Sequence, residues 1–256
     1  MSIPRISPDA APPEGYEKLP APGVQYRMNV ATASSAPWVD ANGWRIERRK
    51  ARAYFYDVTG AAAALSAAEA FAYDTEAVIH ADDAGLKPFE LMVGYLKRIE
   101  PRTLPVLANI GVIDDGSAST GEILNLLARR NLLFKIVSVA DPRLNLNIKP
   151  DATAAQNPSV FAQRVRQQLT DPKRLLRIYG SEVVVGRLTG DGARARLHLL
   201  NYDSRRSIPG VRVRVLGAYS KVEALQTPLQ DIRTDSDAAE FTVPELNVYT
   251  VIDLAK

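Results

Sequence analysis

The chain has 256 residues, of which 46% are hydrophobic and 24% charged, the balance of a globular protein with a sizeable core. Its 32 Lys and Arg against 29 Asp and Glu leave a net charge of +3, too small an excess to indicate a nucleic-acid-binding surface. The absence of cysteine excludes disulfides, thiolate metal sites and a cysteine nucleophile.

Several other classes are excluded by missing patterns. No apolar run reaches the length of a membrane span, so we expect no membrane partner. The N-terminal stretch has no apolar signal core, which predicts a cytoplasmic protein unless an export signal has been removed. Neither a Gly-rich nucleotide-binding pattern nor a Gly-x-Ser-x-Gly elbow is present, so no cofactor and no serine hydrolase chemistry are expected. We assign no set of metal ligands from the sequence.

The first ordered elements follow a Pro-, Ala- and Ser-rich stretch. Residues 1–35 show little periodicity and are predicted to form an extended or disordered arm. The aromatic segment RAYFYDV then predicts a buried strand ending at Asp57, and the alanine-rich segment after it predicts a helix. EAVIHADD is interpreted as a short strand carrying His80.

The clearest unit is a βαβ crossover. VLANIGVI and LLFKIVSVA have the composition of buried strands, and GEILNLLARRN between them has helical periodicity, so the two strands should be parallel. In the intervening loop, Ser119 and Glu122 have the spacing of a capping box. We predict that the helix begins just after Ser119.

The second half of the sequence has a different pattern of predicted secondary structure. After a short helix, six segments of alternating hydrophobicity separated by turns predict an antiparallel β-sandwich. The predicted fold class is therefore α/β plus all-β, a flavodoxin-like parallel-sheet domain followed by a sandwich. The predicted divisions are the arm (1–35), the α/β domain (36–150), a helical linker (151–172) and the sandwich (173–256).

The loop DDGS is the first candidate site. Asp114, Asp115 and Ser117 follow a strand of the crossover, and open α/β sheets bind ligands at the carboxyl ends of their strands. Two carboxylates would repel a phosphate, so a sugar hydroxyl or a cation is the better expectation. The alternative is that the three residues only make the turn.

Two further groups offer polar or aromatic chemistry. His80 precedes two aspartates and could act as an acid–base device or bind a metal, or could be a bystander at a strand end. Trp38 and Trp44 lie near Asp57 in the sequence, with Tyr54 and Tyr56. Aromatic rings beside carboxylates suit sugar binding, and they suit a hydrophobic core equally well.

Alternating basic residues mark two of the predicted sandwich strands. Arg194, Arg196 and His198 share one face of RARLHLL, and Arg212 and Arg214 share one face of VRVRV. If these strands pair, the sandwich carries a basic strip on its solvent face. Such a strip would be either solvated or a site for an acidic polymer.

The order of three segments resembles a known arrangement. AAEAFAYDTEAVIHAD, then ANIGVIDDGSASTGEILNLLARRNLLFKIV, then LLRIYGSEVVVGRL with ARLHLLNYDSRR and GVRVRVLG is similar to the C-terminal region of bacterial glycoside-hydrolase-like proteins. There, as in beta-galactosidases with a trimerisation domain, a catalytic barrel precedes a flavodoxin-like domain resembling class I glutamine amidotransferases and a small β-sandwich. The resemblance spans about residues 36–256.

This resemblance implies an accessory role. A full barrel needs about 250 residues, so it does not fit beside a sandwich in this chain, and the amidotransferase cysteine is absent. The leading hypothesis is a non-catalytic carbohydrate-associated or assembly module, with a carbohydrate ligand and a homo-oligomer as expected partners. The alternatives are a small glycan-acting hydrolase using Asp57, Asp114 or Asp115 as acid or base, and a structural protein that binds an acidic polymer.

Overall fold

The computed structural model describes residues 2–26, 37–49 and 52–256. The helices in these ranges are α1 (Gly43–Arg48), α2 (Ala62–Ala72), α3 (Asp83–Leu96), α4 (Ala118–Arg129), α5 (Ala152–Gln156) and α6 (Pro158–Leu169). The strands of the first part are β1 (Arg5–Ile6), β2 (Tyr16–Leu19), β3 (Gly23–Gln25), β4 (Trp38–Asp40), β5 (Ala53–Val58), β6 (Ala77–Ala81), β7 (Ile110–Ile113), β8 (Phe134–Val137) and β9 (Leu146–Ile148). Those of the second part are β10 (Leu176–Tyr179), β11 (Val184–Gly190), β12 (Arg194–Asn201), β13 (Ile208–Leu216), β14 (Lys221–Ala224), β15 (Gln230–Thr234), β16 (Ala238–Leu246) and β17 (Tyr249–Ala255).

The first part of the chain contains parallel sheets, as predicted. A first parallel sheet has the strand order β1-β6-β5-β2, and a second has the order β8-β7-β9. The predicted crossover is confirmed, because β7 and β8 are parallel, with Ile110 opposite Phe134, and α4 connects them. A flavodoxin-like domain would place its strands in one sheet. Here they are hydrogen-bonded in two, so that finer assignment is not confirmed.

The N-terminal arm is built into these sheets. In its described part, β1 pairs with β6, β2 pairs with β5, and β3 pairs with β4. Leu19 lies in the core beneath them. Three stretches of the arm, β1, β2 and β3, are therefore strands of the sheets rather than parts of a free arm, because their backbone groups extend sheet edges. Residues 27–35 of the predicted arm lie outside the described residues.

The second part forms two four-stranded antiparallel sheets, as the alternating pattern predicted. The outer antiparallel sheet has the order β10-β13-β16-β15, and the inner antiparallel sheet has the order β11-β12-β17-β14. Their facing side chains form one apolar core, which includes Leu197, Val213 and Phe241. The segment predicted as a linker forms α5 and α6, and α6 packs on α4 through Ala162 and Val165.

Helix α2 joins the two parts. All of its residues from Ala63 to Ala72 are buried, which is the property of a helix covered on every side. One side of α2 meets Tyr54 and Tyr56 of the first parallel sheet, and the same apolar cluster includes Leu200 of the inner antiparallel sheet. Alanine allows this close approach on both sides because its side chain is a single methyl group. Tyr54 and Tyr56 are thus core residues.

The predicted basic strip does not exist. Strand β12 belongs to the inner antiparallel sheet and β13 to the outer one, so Arg196 and Arg214 are on different sheets. On β12, Arg196 and His198 of the face predicted to be exposed are buried against the first part of the chain, whereas Arg194 at the start of the strand is exposed. Sequence alternation identified the two faces of the strand correctly, but it could not show that both would be covered.

Within the described residues, no helix is both long enough and apolar enough to cross a membrane. The same part of the chain contains no group of three or more His, Asp or Glu placed to hold a metal ion.

Candidate functional site

The loop after β7 is stabilised by its own residues. Asp114 receives two hydrogen bonds of 2.6 Å from the Nε and Nη2 atoms of Arg48, and the amide of Gly116 donates to its Oδ1 at 3.0 Å. Arg48 also donates to the carbonyl oxygen of Ser117 at 2.7 Å. The side chains of Arg48 and Asp114 are only 12% and 11% exposed. This bidentate ion pair fixes the loop to α1.

The two aspartates of the loop differ in exposure but agree in charge. Burial raises the pKa of Asp114, but the hydrogen bonds from Arg48 and Gly116 outweigh burial, and its pKa lies below the usual 3.8. Asp115 is exposed, and the backbone amide of Ser117, with the nearby hydroxyls, lowers its pKa to about 2. Both are therefore ionised near neutral pH, and neither can donate a proton.

The helix after this loop is capped by Ser117 rather than Ser119. Ser117 has extended backbone angles, and its hydroxyl accepts a hydrogen bond of 3.1 Å from the amide of Thr120. Helix α4 begins at Ala118, so Ser119 is already helical and cannot occupy the capping position. The predicted capping box with Glu122 is therefore wrong by two residues. Ser117, predicted as a ligand-binding residue, has its hydroxyl engaged by the helix.

A second polar group lies on three neighbouring strands of the first parallel sheet. Nζ of Lys18 on β2 is 2.9 Å from Oδ2 of Asp57 on β5, and Nδ1 of His80 on β6 is 2.9 Å from Oδ1 of Asp57. Asp57 and His80 are direct partners in the parallel ladder. We call Lys18, Asp57 and His80 the strand-end triad. It joins two predicted site residues that lie 23 positions apart in the sequence.

The triad is accessible and charge-balanced. The side chains of Lys18, Asp57 and His80 are 52%, 35% and 27% exposed. Hydrogen bonds from Lys18 and His80 hold the pKa of Asp57 below its usual 3.8. The triad therefore offers a carboxylate acceptor between a cationic and an imidazole group, an arrangement suited to hydroxyl groups of a ligand.

The two tryptophans are not part of the triad. Trp38, on β4, donates from Nε1 to Asp40 at 2.8 Å, and the guanidinium of Arg129 lies 4.1 Å from its ring centre. Trp44, on α1, packs on Gly121 of α4, where a larger residue would collide with its ring. Trp38 and Trp44 thus attach the β3–β4 hairpin and α1 to α4. They do not form one aromatic platform with Tyr54 and Tyr56.

Sequence reasoning missed a basic cleft at α4, α6 and β10. Its volume is about 660 Å³. We call it the arginine cleft, and it is lined by Arg129, Arg130, Arg166, Arg174 and Arg177. The sequence gives only a weak signal for it, because these residues come from three separate elements. Arg129 and Arg130 by themselves are typical of the basic last turn of a helix.

Comparison with known proteins identifies a similar fold but no family. No family model matches the sequence, and no curated protein matches it. The structure is similar to that of an α-L-fucosidase, isoenzyme 2, from Paenibacillus thiaminolyticus, with a TM-score of 0.59 over 83% of this chain at 10% identity. The chain covers 62% of the fucosidase, less than two thirds of its length.

Two other structures are similar only at low scores. An exo-carrageenase from Bacteroides ovatus matches with a TM-score of 0.33 over 79% of this chain and 42% of its own, at 7% identity. An α-amylase from Thermotoga neapolitana matches with a TM-score of 0.21 over 89% and 60%, at 9% identity. At 10% identity, the similarity to the fucosidase shows a likeness of fold alone.

Proposed function

We propose that this protein is a non-catalytic, carbohydrate-associated module related to glycoside hydrolases. The fold similarity to a fucosidase supports the relationship. One observation carries the non-catalytic part, namely that hydrogen-bond donors lower the pKa of all three candidate acids, Asp57, Asp114 and Asp115. Burial raises the pKa of Glu69, but this carboxylate is fully enclosed in the core and out of reach of a substrate. A glycosidase needs one carboxylic acid whose raised pKa keeps it protonated at the working pH.

The position of the strand-end triad supports binding. Lys18, Asp57 and His80 lie toward the carboxyl ends of parallel strands, where α/β proteins commonly hold ligands. Asp57 accepts hydrogen bonds, and Lys18 donates them. We propose that sugar hydroxyls bind at the triad by replacing water around this balanced pair.

We also propose that the first part of the chain is a flavodoxin-like accessory domain. A flavodoxin-like accessory domain, like that of beta-galactosidases with a trimerisation domain, has parallel strands joined by helices. The β5–α2–β6 and β7–α4–β8 connections are of this kind. From this likeness to an accessory domain we infer an assembly role, in which the module attaches to catalytic partners or to further copies of itself.

A glycan array combined with a chromogenic-glycoside screen tests the proposal. We expect the wild-type protein to bind at least one glycan without releasing any chromophore. The variant Lys18→Gln/Asp57→Asn should lose that binding and remain folded. The matched control is Lys87→Gln/Glu90→Gln, which changes another exposed Lys–acid pair on α3.

Two results would overturn the proposal. Chromophore release that disappears in Asp57→Asn or in Asp114→Asn would make the protein a hydrolase. Equal loss of glycan binding in the triad variant and in the control would place binding elsewhere. The mass of the protein in solution, measured in parallel, tests the assembly role.

A further inference from the structure

The arginine cleft carries an excess of positive charge. Five arginines line it, together with the carboxylates of Glu122, Asp171 and Glu182. Asp171 is shared, since it lies 3.2 Å from Nη1 of Arg174 and 3.8 Å from Nη2 of Arg166. Within the described residues, neither Glu122 nor Glu182 forms an ion pair with the other four arginines, Arg130, Arg166, Arg174 and Arg177. A cleft with this composition attracts anions.

Two guanidinium groups in the cleft have unused donors. Among the described residues, the buried Nε atoms of Arg174 and Arg177 have no hydrogen-bond partner. Arg177 forms no ion pair with any described residue, although it lies opposite Arg214 in the β10–β13 ladder. A buried donor left unsatisfied is destabilising, because it has lost its hydrogen bonds to water. An anion in the cleft would satisfy such donors with charge-assisted hydrogen bonds.

Several of the cleft arginines are close enough to repel one another. Burial lowers the pKa of Arg130, and the charge of Arg166 lowers it further. Burial also lowers the pKa of Arg174. The hydrogen bond and charge of Asp171 oppose this effect, and the charges of Arg166 and Arg177 add to it. Among the described residues, the guanidinium of Arg130 has hydrogen bonds only to neutral groups of Ser159, at 3.3 and 3.4 Å. A bound anion would relieve this repulsion.

We propose that the arginine cleft binds an anionic saccharide, one whose sugars carry carboxylate or sulfate groups. Guanidinium groups pair with such oxygens in a planar, bidentate way. Tyr179, which is 43% exposed, lines the same cleft and offers an aromatic ring for the apolar face of a sugar. The small net charge of +3 argues against nucleic acid as the occupant.

This site is separate from the strand-end triad and goes beyond the proposed function. The triad is built on β2, β5 and β6, whereas the cleft is built on α4, α6 and β10. The arginine cleft also differs from the basic strip predicted on two paired strands. Its arginines come from helices and from a different strand.

Titration calorimetry tests the proposal with defined probes. The probes are a sulfated oligosaccharide, an oligogalacturonate, a neutral oligosaccharide of the same length, inorganic sulfate and single-stranded DNA. We expect at least one anionic saccharide to bind, with affinity that falls as salt is raised, and the neutral one not to bind. The sulfated and uronate arms distinguish the two sources of negative charge.

Two double variants of equal charge change locate the site. Arg166→Gln/Arg177→Gln removes two cleft arginines, and Arg164→Gln/Arg233→Gln removes two exposed arginines that do not line the cleft. We expect the cleft variant to weaken binding by about tenfold or more, and the control to change it by less than about twofold. Thermal melts verify that each variant is folded. If Arg166→Gln/Arg177→Gln does not fold, Arg130→Gln serves as a second cleft variant.

Three results would overturn the proposal. One is the absence of binding by both anionic saccharides. Another is equal weakening by the two double variants, which would mean binding through overall charge. The third is tighter binding of DNA than of either saccharide. Glycan binding at the triad can fail independently, because the triad variant leaves every cleft arginine in place.

Discussion

The hydroxyl of Tyr202 donates a hydrogen bond of 2.6 Å to Oε1 of Glu69, a buried carboxylate 133 positions earlier in the chain. Tyr56 donates to the other oxygen at 3.1 Å, and Asn42 contributes its backbone amide and its side-chain amide. Burial raises the pKa of Glu69, while these four donors oppose the rise. Glu69 thereby connects α2, β5 and the end of β12.

Removing the Tyr202 hydroxyl should destabilise the whole chain. In Tyr202→Phe, Glu69 loses one of its donors in a buried setting, so we expect the free energy of unfolding to fall by about 1–3 kcal/mol. Urea denaturation measures the change. Tyr179→Phe, at an exposed position on β10, is the control and should unfold like the wild type. Identical midpoints for the two variants would contradict the role given to Glu69.

The capping assignment makes a position-specific prediction. Ser117→Ala removes the hydroxyl that accepts from the amide of Thr120, so we expect a loss of about 1 kcal/mol in the free energy of unfolding. Ser119→Ala lies inside the first turn and should have a much smaller effect. Thermal or denaturant melts compare the two. A larger loss for Ser119→Ala would place the start of α4 two residues later.

The Arg48–Asp114 pair should be structural. Asp114→Asn leaves a mostly buried guanidinium without its counter-charge, and we expect a loss of about 3 kcal/mol in the free energy of unfolding. Asp115→Asn is the control, because Asp115 is exposed and is expected to matter less. Denaturant unfolding of both variants measures the difference. If Asp114→Asn is as stable as the wild type, the aspartate is available for a ligand after all.

The buried His198 should resist protonation in the folded state. Burial, with Arg187 and Arg196 nearby, holds the pKa of His198 well below its usual 6.5, and its Nδ1 lies 2.7 Å from the Tyr249 hydroxyl. The folded state then binds fewer protons than the unfolded state as the pH falls below about 6.5, so the contribution of His198 to stability is lost on acidification.

Proton NMR checks this prediction. The chain has two histidines, so the variant His80→Gln leaves His198 as the single imidazole in the spectrum. We expect its ring resonances to stay constant as the pH is lowered through 6.5, the usual pKa of histidine, while the protein remains folded. A titration centred near 6.5 would show that His198 is open to solvent.

Local patterns in the sequence were sufficient for much of the architecture. Alternation in RARLHLL and VRVRV predicted strands, and the βαβ periodicity predicted the parallel pairing of β7 and β8. Composition also excluded cysteine chemistry. These features depend on neighbouring residues, because the periods of helices and strands are fixed by backbone geometry.

Tertiary structure decided which faces and which charges remain available. Ser117 rather than Ser119 caps α4 because the backbone at Ser117 is extended, and sequence spacing allowed both. Arg196 and His198 are buried because the first part of the chain covers a strand face that alternation alone made look exposed. The strand-end triad and the arginine cleft exist because β2, β5 and β6, and separately α4, α6 and β10, meet in space. Contacts between distant segments depend on how whole surfaces pack, and no local period encodes that packing.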